Sequence, residues 1–264
     1  MERTADIVII GGGVIGASIA YHLASKKAGK IILLEKGQLG EGSTSRCAGG
    51  IRTQFSTEIN IRFSLESMKI FERFIDEFGI DPEFKRIGYL LLATTEQEIN
   101  VFKENVDLQR RFGIPVEFLN PDEIQARWPY LKTDDIRGGT FCSWDGYAGP
   151  SEVLSGFVSR ARRAGVKIYE GTEVIGISIS KDKVNGVETK EKEISTSIVV
   201  NAGGPHAAAI GDMAGIKIPV KPLRRQIFVT GPFHLSDQPV PLTIDFHRGW
   251  YFRPEVDGFL LTGP

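Results

Sequence analysis

The sequence predicts an α/β protein in which two domains interleave. Three features predict it. A continuously apolar run, Ile7-Val8-Ile9-Ile10, opens directly into Gly11-Gly12-Gly13-Val14-Ile15-Gly16. A helical pattern and a second apolar run ending at Glu35 follow at once. The closing part of the chain then reads as a succession of short strands.

Residues 5–10 lack polar alternation, the mark of a strand buried on both faces of a parallel sheet. Residues 14–28 place Ile15, Ile19 and Leu23 with Ala17, Ala20 and Ala24 at helical spacing, and residues 30–35 form a second buried strand. Together they make one right-handed βαβ unit of Rossmann-like type. Residues 37–57, rich in Gly, Ser, Thr and Arg, predict a loop. Residues 58–78 set Ile59, Phe63, Ile70, Phe71, Phe74 and Phe78 on one helical face, which reads as a core stripe. A strand at 87–93, a helix at 95–112 and a strand at 116–119 come next, then a helix at 121–128 that opens with Pro121 and acids in its first turn. A helix at 151–164 takes Ser151 as its N-cap. Strands follow at 166–170, 173–180, 183–189 and 194–201, and Asn185-Gly186 either joins the middle pair as a hairpin or lies within a shifted one. Strands at 222–230, 240–246, 249–254 and 258–262 close an antiparallel sheet. The chain leaves the first domain near residue 85, returns near 144 and leaves again near 218. Residues 1–84 and 144–217 are therefore assigned to a nucleotide-binding domain, and 85–143 and 218–264 to a second, α+β domain.

Composition narrows the function. Thirty-two basic residues balance 33 acidic ones, which gives no reason to expect a nucleic-acid partner. Two cysteines, Cys47 and Cys142, make neither a disulfide framework nor a metal site. No apolar run is long enough to span a bilayer and no secretory signal is read, so a cytoplasmic location is expected.

The glycines have separate physical reasons. Gly11 permits a tight turn after the strand, Gly13 lets backbone approach a pyrophosphate, and Gly16 lets helix and strand pack closely. The first N–H groups of the helix, from Val14 and Ile15 onward, face the phosphates with the positive end of the helix dipole. Glu35 is placed to accept hydrogen bonds from a ribose diol and disfavours a 2′-phosphate. This pattern says dinucleotide; an NAD-dependent dehydrogenase shares it. The stretch from Lys36 to Arg52, with hydroxyl residues followed by Gly49-Gly50, suits a longer cofactor and a flat ring, which favours FAD. A mobile solvent loop is the plain alternative.

The run Val8–Ala24, the pair Glu35-Lys36, the loop Gly42–Arg52 and Val199-Val200-Asn201-Ala202-Gly203-Gly204-Pro205 resemble FAD-dependent amine oxidoreductases of the D-amino-acid oxidase superfamily, whose members include sarcosine oxidase β-subunits, L-proline dehydrogenase and glycine oxidase. The resemblance implies that Gly11, Gly13 and Gly16 hold pyrophosphate and Glu35 the adenosine ribose. It implies that Ser43, Thr44, Ser45 and Arg46 hold phosphate and ribityl oxygens, with Gly49 and Gly50 beside the flavin ring. Val174 matches a backbone contact to adenine, or is simply a strand residue, and Ala202-Gly203 matches a strand end near the pyrophosphate. Tyr251 matches a tyrosine that faces the flavin and binds a substrate carboxylate. Arg52 is a second candidate for that carboxylate, and Arg253, on the same strand face as Tyr251 by alternation, a weaker one. His206 and His247 are assigned no catalytic role, and Cys47 is expected to be a small buried thiol.

The resemblance implies oxidation of the C–N bond of a small amino acid or secondary amine, with a hydride equivalent passing to flavin N5 and water hydrolysing the imine. It also implies substrate-domain structure and a flavin-covering segment beyond Pro264. Completion by a second polypeptide is one expectation. A non-catalytic FAD-binding subunit or fragment is the competing one.

Overall fold

A computed structural model describes residues 2–263. In chain order the elements are β1 (Ile7–Ile10), α1 (Val14–Ser25), β2 (Ile31–Leu34), β3 (Gly50–Ile51), α2 (Glu58–Glu72), α3 (Phe74–Phe78), β4 (Tyr89–Ala93), α4 (Glu96–Arg111), β5 (Val116–Leu119), α5 (Pro121–Arg127), β6 (Gly138–Cys142) and β7 (Gly146–Tyr147). They continue with α6 (Pro150–Arg163), β8 (Lys167–Tyr169), β9 (Val174–Ser180), β10 (Lys183–Thr189), β11 (Glu193–Ser195), β12 (Ile198–Asn201), α7 (Ala207–Met213), β13 (Ile227–Val229), β14 (Leu242–Asp245), β15 (Tyr251–Glu255) and β16 (Gly258–Thr262). No helix among the described residues is long and apolar enough to cross a membrane.

Two compact units emerge. The first takes the chain up to Cys47, Phe74–Pro82 and Gly149–Leu223. Its parallel sheet runs β12-β1-β2-β8, with Ile7 opposite Ile198 on one side and Ile31 on the other. Every residue of β1 and β2 is buried because both faces are covered. Val8, Ile10, Ile32 and Leu34 pack toward Val174, Val187 and Ile194 of the three-stranded β9–β11 sheet, together with Ile210 of α7. Ile7, Ile9, Ile31 and Leu33 pack toward Ala20 of α1 and Ala161 of α6. Each such side chain contributes about 1.5–3 kcal/mol at most. The small residues of α1 are what let it lie close to the sheet.

The second unit takes Ala48–Arg73, Glu83–Ala148 and the chain from Arg224. Its main sheet runs β13-β16-β15-β14-β4-β6-β5. Neighbours are antiparallel as expected, save β14 and β4, which pair in parallel from Leu242↔Tyr89. The long connection between those two strands leaves room for a crossover, which a parallel pair requires. Capping boxes start α4 (Thr95 with Glu98) and α5 (Asn120 with Glu123), and Pro121 opens the latter.

Several expectations change. A boundary at residue 84 keeps 48–73 in the first domain. By compactness they group with the second, because α2 buries Ile61 against Val106, Ile114, Val116 and Cys142. The helix expected over 58–78 breaks at Arg73, and Ile59 and Phe63 are 55% and 65% exposed while Ile61 and Met68 are buried. Ser151 lies inside α6; Gly149 is the N-cap and Pro150 the first helical residue. The run 194–201 splits into β11 and β12 as the chain passes from one sheet to the other. The β9–β10 turn is Lys181-Asp182, with φ of 51° and 59°, and Asn185-Gly186 falls at a register shift within β10. The predicted loop at 37–57 contains β3, paired with β7.

Candidate cofactor and amine site

In the first unit the glycine turn is built by close approaches. Gly11 has φ +115°, and a Cβ there would stand 2.3 Å from the Ala202 carbonyl oxygen. That contact follows from strand pairing, since Ala202 N donates to Ile10 O at 2.8 Å and Gly11 N to Leu34 O at 2.9 Å. A Cβ on Gly16 would stand 1.9 Å from Gly11 O. Gly13 is the N-cap of α1 and supplies no side-chain cap. Thr44 supplies one instead: its Oγ1 accepts from Val14 N at 3.0 Å. Ile15, in the same turn, is exposed.

Glu35 closes the cradle. Its Oε2 accepts from Gly12 N at 2.7 Å and its Oε1 from Gly37 N at 2.9 Å. Each oxygen retains a further acceptor position. Lys36 Nζ lies 3.0 Å from His206 Nε2. Gly203 N donates to Asn201 Oδ1, fixing the end of β12. Ser43, Ser45 and Arg46 are exposed, and the Ser45 hydroxyl donates to Glu41 O at 3.3 Å. Val174 is buried, its side chain in the core beside Leu34. Cys47 is exposed, contrary to expectation, with its thiol turned to Thr44 O. The stretch Gly40–Cys47 forms neither strand nor helix; Gly40 is buried against Leu154 of α6, while Ser43, Ser45, Arg46 and Cys47 are exposed.

In the second unit, Gly49 has φ +67°, a left-handed conformation that favours glycine. A Cβ on Gly50 would stand 1.9 Å from the Tyr89 hydroxyl, so Gly50 makes room for Tyr89. Burial pushes the Tyr89 phenol well above its usual range, and Arg52, Asp145, Tyr251 and Arg253 all lie within electrostatic reach of it. The Arg52 guanidinium rests over the Phe55 ring at 4.6 Å and makes no ion pair or hydrogen bond among the described residues. Tyr251 packs beside Tyr89, Leu91 and Leu242.

Arg253 is spoken for, which removes it as a free anion binder. It is buried, its Nε donates to Ala48 O at 2.8 Å, it pairs with Glu255 at 2.7 Å, and it lies 4.1 Å over the Tyr147 ring. His247 sits 3.0 Å from Glu98 Oε1. Sequence reasoning missed a buried polar cluster. Asp145 accepts from Thr53 N and Oγ1 at 2.8 and 2.6 Å and from Gln54 Nε2 at 3.1 Å. Burial raises its carboxyl above the usual range, opposed by Thr53, Gln54 and Arg52. Its one signal in the sequence is an acid among aromatics, in Phe141-Cys142-Ser143-Trp144-Asp145-Gly146-Tyr147. Burial also pushes the Cys142 thiol up to about 11.

A Rossmann-like sheet with this glycine cradle, in a chain whose second unit is built on a mixed sheet, defines a nucleotide-binding protein. The chain belongs to the FAD dependent oxidoreductase family (DAO), which it matches over residues 6–264. It is 32% identical to mitochondrial dimethylglycine dehydrogenase of Rattus norvegicus over 264 residues, covering 98% of this chain and 31% of that protein. It is 30% identical over 266 residues to the mitochondrial pyruvate dehydrogenase phosphatase regulatory subunit of Mus musculus, covering all of this chain and 30% of that protein. The structure of L-proline dehydrogenase from P. horikoshii superposes with a TM-score of 0.89 at 35% identity, over all of this chain and 70% of that one. The chain thus spans about a third of the length of the first two relatives.

FAD is the cofactor of this family, and the first unit fits its nucleotide half. Gly13 places no side chain at the start of α1, the turn Gly11–Gly13 carries no side chains that would bar a close approach, and Glu35 has acceptor capacity to spare.

Proposed function

We propose that the chain forms the FAD-binding and amine-facing parts of an oxidoreductase that oxidises the C–N bond of a small amino acid or secondary amine of the sarcosine, proline or glycine type. The observation that carries this reading is the uncommitted Arg52 guanidinium. It sits next to the Gly49–Ile51 strip, and it and Tyr251 both lie within electrostatic reach of Tyr89. Bound FAD supplies the acceptor, at N5, for the hydride equivalent that leaves the substrate's α-carbon.

The chain's own residues do the rest. Gly11, Gly13, Gly16 and the first-turn N–H groups of α1 that Thr44 leaves open hold pyrophosphate, with Thr44 capping Val14. Glu35 and Lys36 take the adenosine side, and Ser43, Ser45 and Arg46 the phosphate and ribityl oxygens. Val174 and Ala202-Gly203 contribute backbone. Arg52 pairs the substrate carboxylate in a forked, charge-assisted contact, and the Tyr251 hydroxyl donates a further hydrogen bond. Anchoring the carboxylate orients the α-carbon, and the substrate amine reacts in its neutral form.

The test is anaerobic titration of the FAD-loaded protein with sarcosine, L-proline and glycine. Bleaching of the flavin absorbance by at least one is expected. A protein that retains FAD and is bleached by none supports the second reading, a non-catalytic FAD-binding subunit. That reading draws on the match to a protein named as a regulatory subunit.

A further inference from the structure

Residues 49–54 are fastened almost end to end onto 145–148. Ala148 N donates to Gly49 O at 2.9 Å. Gly50 and Ile51 pair with Tyr147 and Gly146. Beyond Arg52, the Asp145 carboxylate takes both the N–H and the hydroxyl of Thr53 and the amide of Gln54. Asp145 and Thr53 are wholly buried, and Gln54 nearly so.

The orientation of Gln54 is fixed by its other partners. Its Oε1 accepts from Thr140 Oγ1 at 2.8 Å, so its Nε2 faces Asp145 and the Tyr89 carbonyl. Three donors therefore converge on Asp145, and only a carboxylate accepts them all. An asparagine of the same size turns one donor against another. Flipping Gln54 to compensate sets its oxygen against Tyr89 O. The Arg52 side chain takes no part in the fastening. Its backbone is clamped on both sides, while its guanidinium rests over the Phe55 ring with no hydrogen bond or ion pair among the described residues.

We propose that Asp145 is a positioning residue: acting through Thr53 and Gln54, its carboxylate sets the Arg52 backbone so that the guanidinium meets the substrate carboxylate. This rests on the assignment of Arg52 above. Asp145 is wholly buried, so it acts through Thr53 and Gln54, and its effect is on where an anion binds.

The experiment uses the full FAD-loaded chain and two small probes, acetate and acetamide, with dissociation constants read from perturbation of the flavin spectrum. Deuterium uptake of the peptide covering 48–56 is read in parallel without added probe. Arg52→Ala should weaken acetate at least tenfold and leave acetamide within twofold. Asp145→Asn should weaken acetate fivefold or more, leave acetamide within twofold, and speed exchange in 48–56 about tenfold without changing β1. Thr53→Ala should weaken acetate in the same direction and Thr53→Ser should restore it to within twofold. If Asp145→Asn does not fold, this Thr53 pair carries the test. Thr95→Ala, which removes the N-cap of α4 in the same unit, should leave acetate within twofold. Acetate weakened in Arg52→Ala but unchanged in Asp145→Asn overturns this inference alone. Acetate unchanged in Arg52→Ala overturns the assignment of Arg52 and this inference with it.

Discussion

Gly50→Ala tests the packing of the second unit at one contact. The added methyl would lie 1.9 Å from the Tyr89 hydroxyl and 3.2 Å from the ring carbon that carries it. Tyr89 cannot swing away freely, because it is buried among Leu91, Ile99, Phe102 and Leu242. Overpacking of this kind costs about 1–3 kcal/mol. Against it stands a gain of about 0.4–1 kcal/mol, because Gly50 does not have a positive φ and alanine restricts the unfolded chain. The net expectation is a loss of roughly 1–2 kcal/mol. In a Tyr89→Phe background the hydroxyl is gone and the nearest remaining atom is the ring carbon, so the same change should be close to neutral. The coupling between the two substitutions is then about 1–2 kcal/mol, well outside additivity for independent sites. The assay is urea unfolding followed by tryptophan fluorescence. Trp128, Trp144 and Trp250 are the only tryptophans and all belong to the second unit, so the signal reports that unit alone. Equal losses in both backgrounds would refute the contact.

Three further predictions concern the first unit and the thiols. Gly16→Ala forces a methyl to within 1.9 Å of a backbone oxygen that cannot move without opening the turn; flavin absorbance per mole of purified protein should fall at least tenfold. Burial holds the His22 imidazole below its ordinary value of 6.5. Protons therefore bind the unfolded chain more readily, so the stability is fully present above pH 6.5 and is lost as pH falls from there through the lower value of the folded imidazole. Hydrogen exchange of α1 should accelerate from pH 7 to pH 5 after correction for intrinsic rates, and His22→Gln should flatten the profile. Finally, one thiol per native chain, Cys47, should react with a chromogenic disulfide at pH 8, and Cys142 only after unfolding.

What the sequence made legible is what lies close together along the chain. Strand, glycines, helix, strand and acid occupy one short stretch, and local sterics and hydrogen bonding decide their arrangement. The second unit is different. In α2 two apolar registers compete, Ile59 with Phe63 and Ile61 with Met68, and the choice depends on a surface supplied by Val106, Ile114 and Val116. Alternation along β15 groups Arg253 with Tyr251. Its guanidinium is nonetheless claimed by Ala48 O and the Tyr147 ring, neither of which is near it in sequence. The pairing of Asp145 with Thr53 spans 92 residues. No spacing rule within one segment predicts such a pair.

The pairing of β1 with β12 has a consequence for biosynthesis. Ile7 and Ile198 are neighbours in the sheet, yet roughly 190 residues separate their emergence from the ribosome, which at about 5–20 residues per second is a wait of about 10–40 seconds. Through that interval β1 has β2 on one side only, and its other edge offers unpaired backbone and four apolar side chains. A strand that is buried along its whole length in the folded chain thus waits longest for its second neighbour during synthesis. Faster translation, or a factor that shields this edge, shortens or covers that interval without altering any contact in the finished sheet.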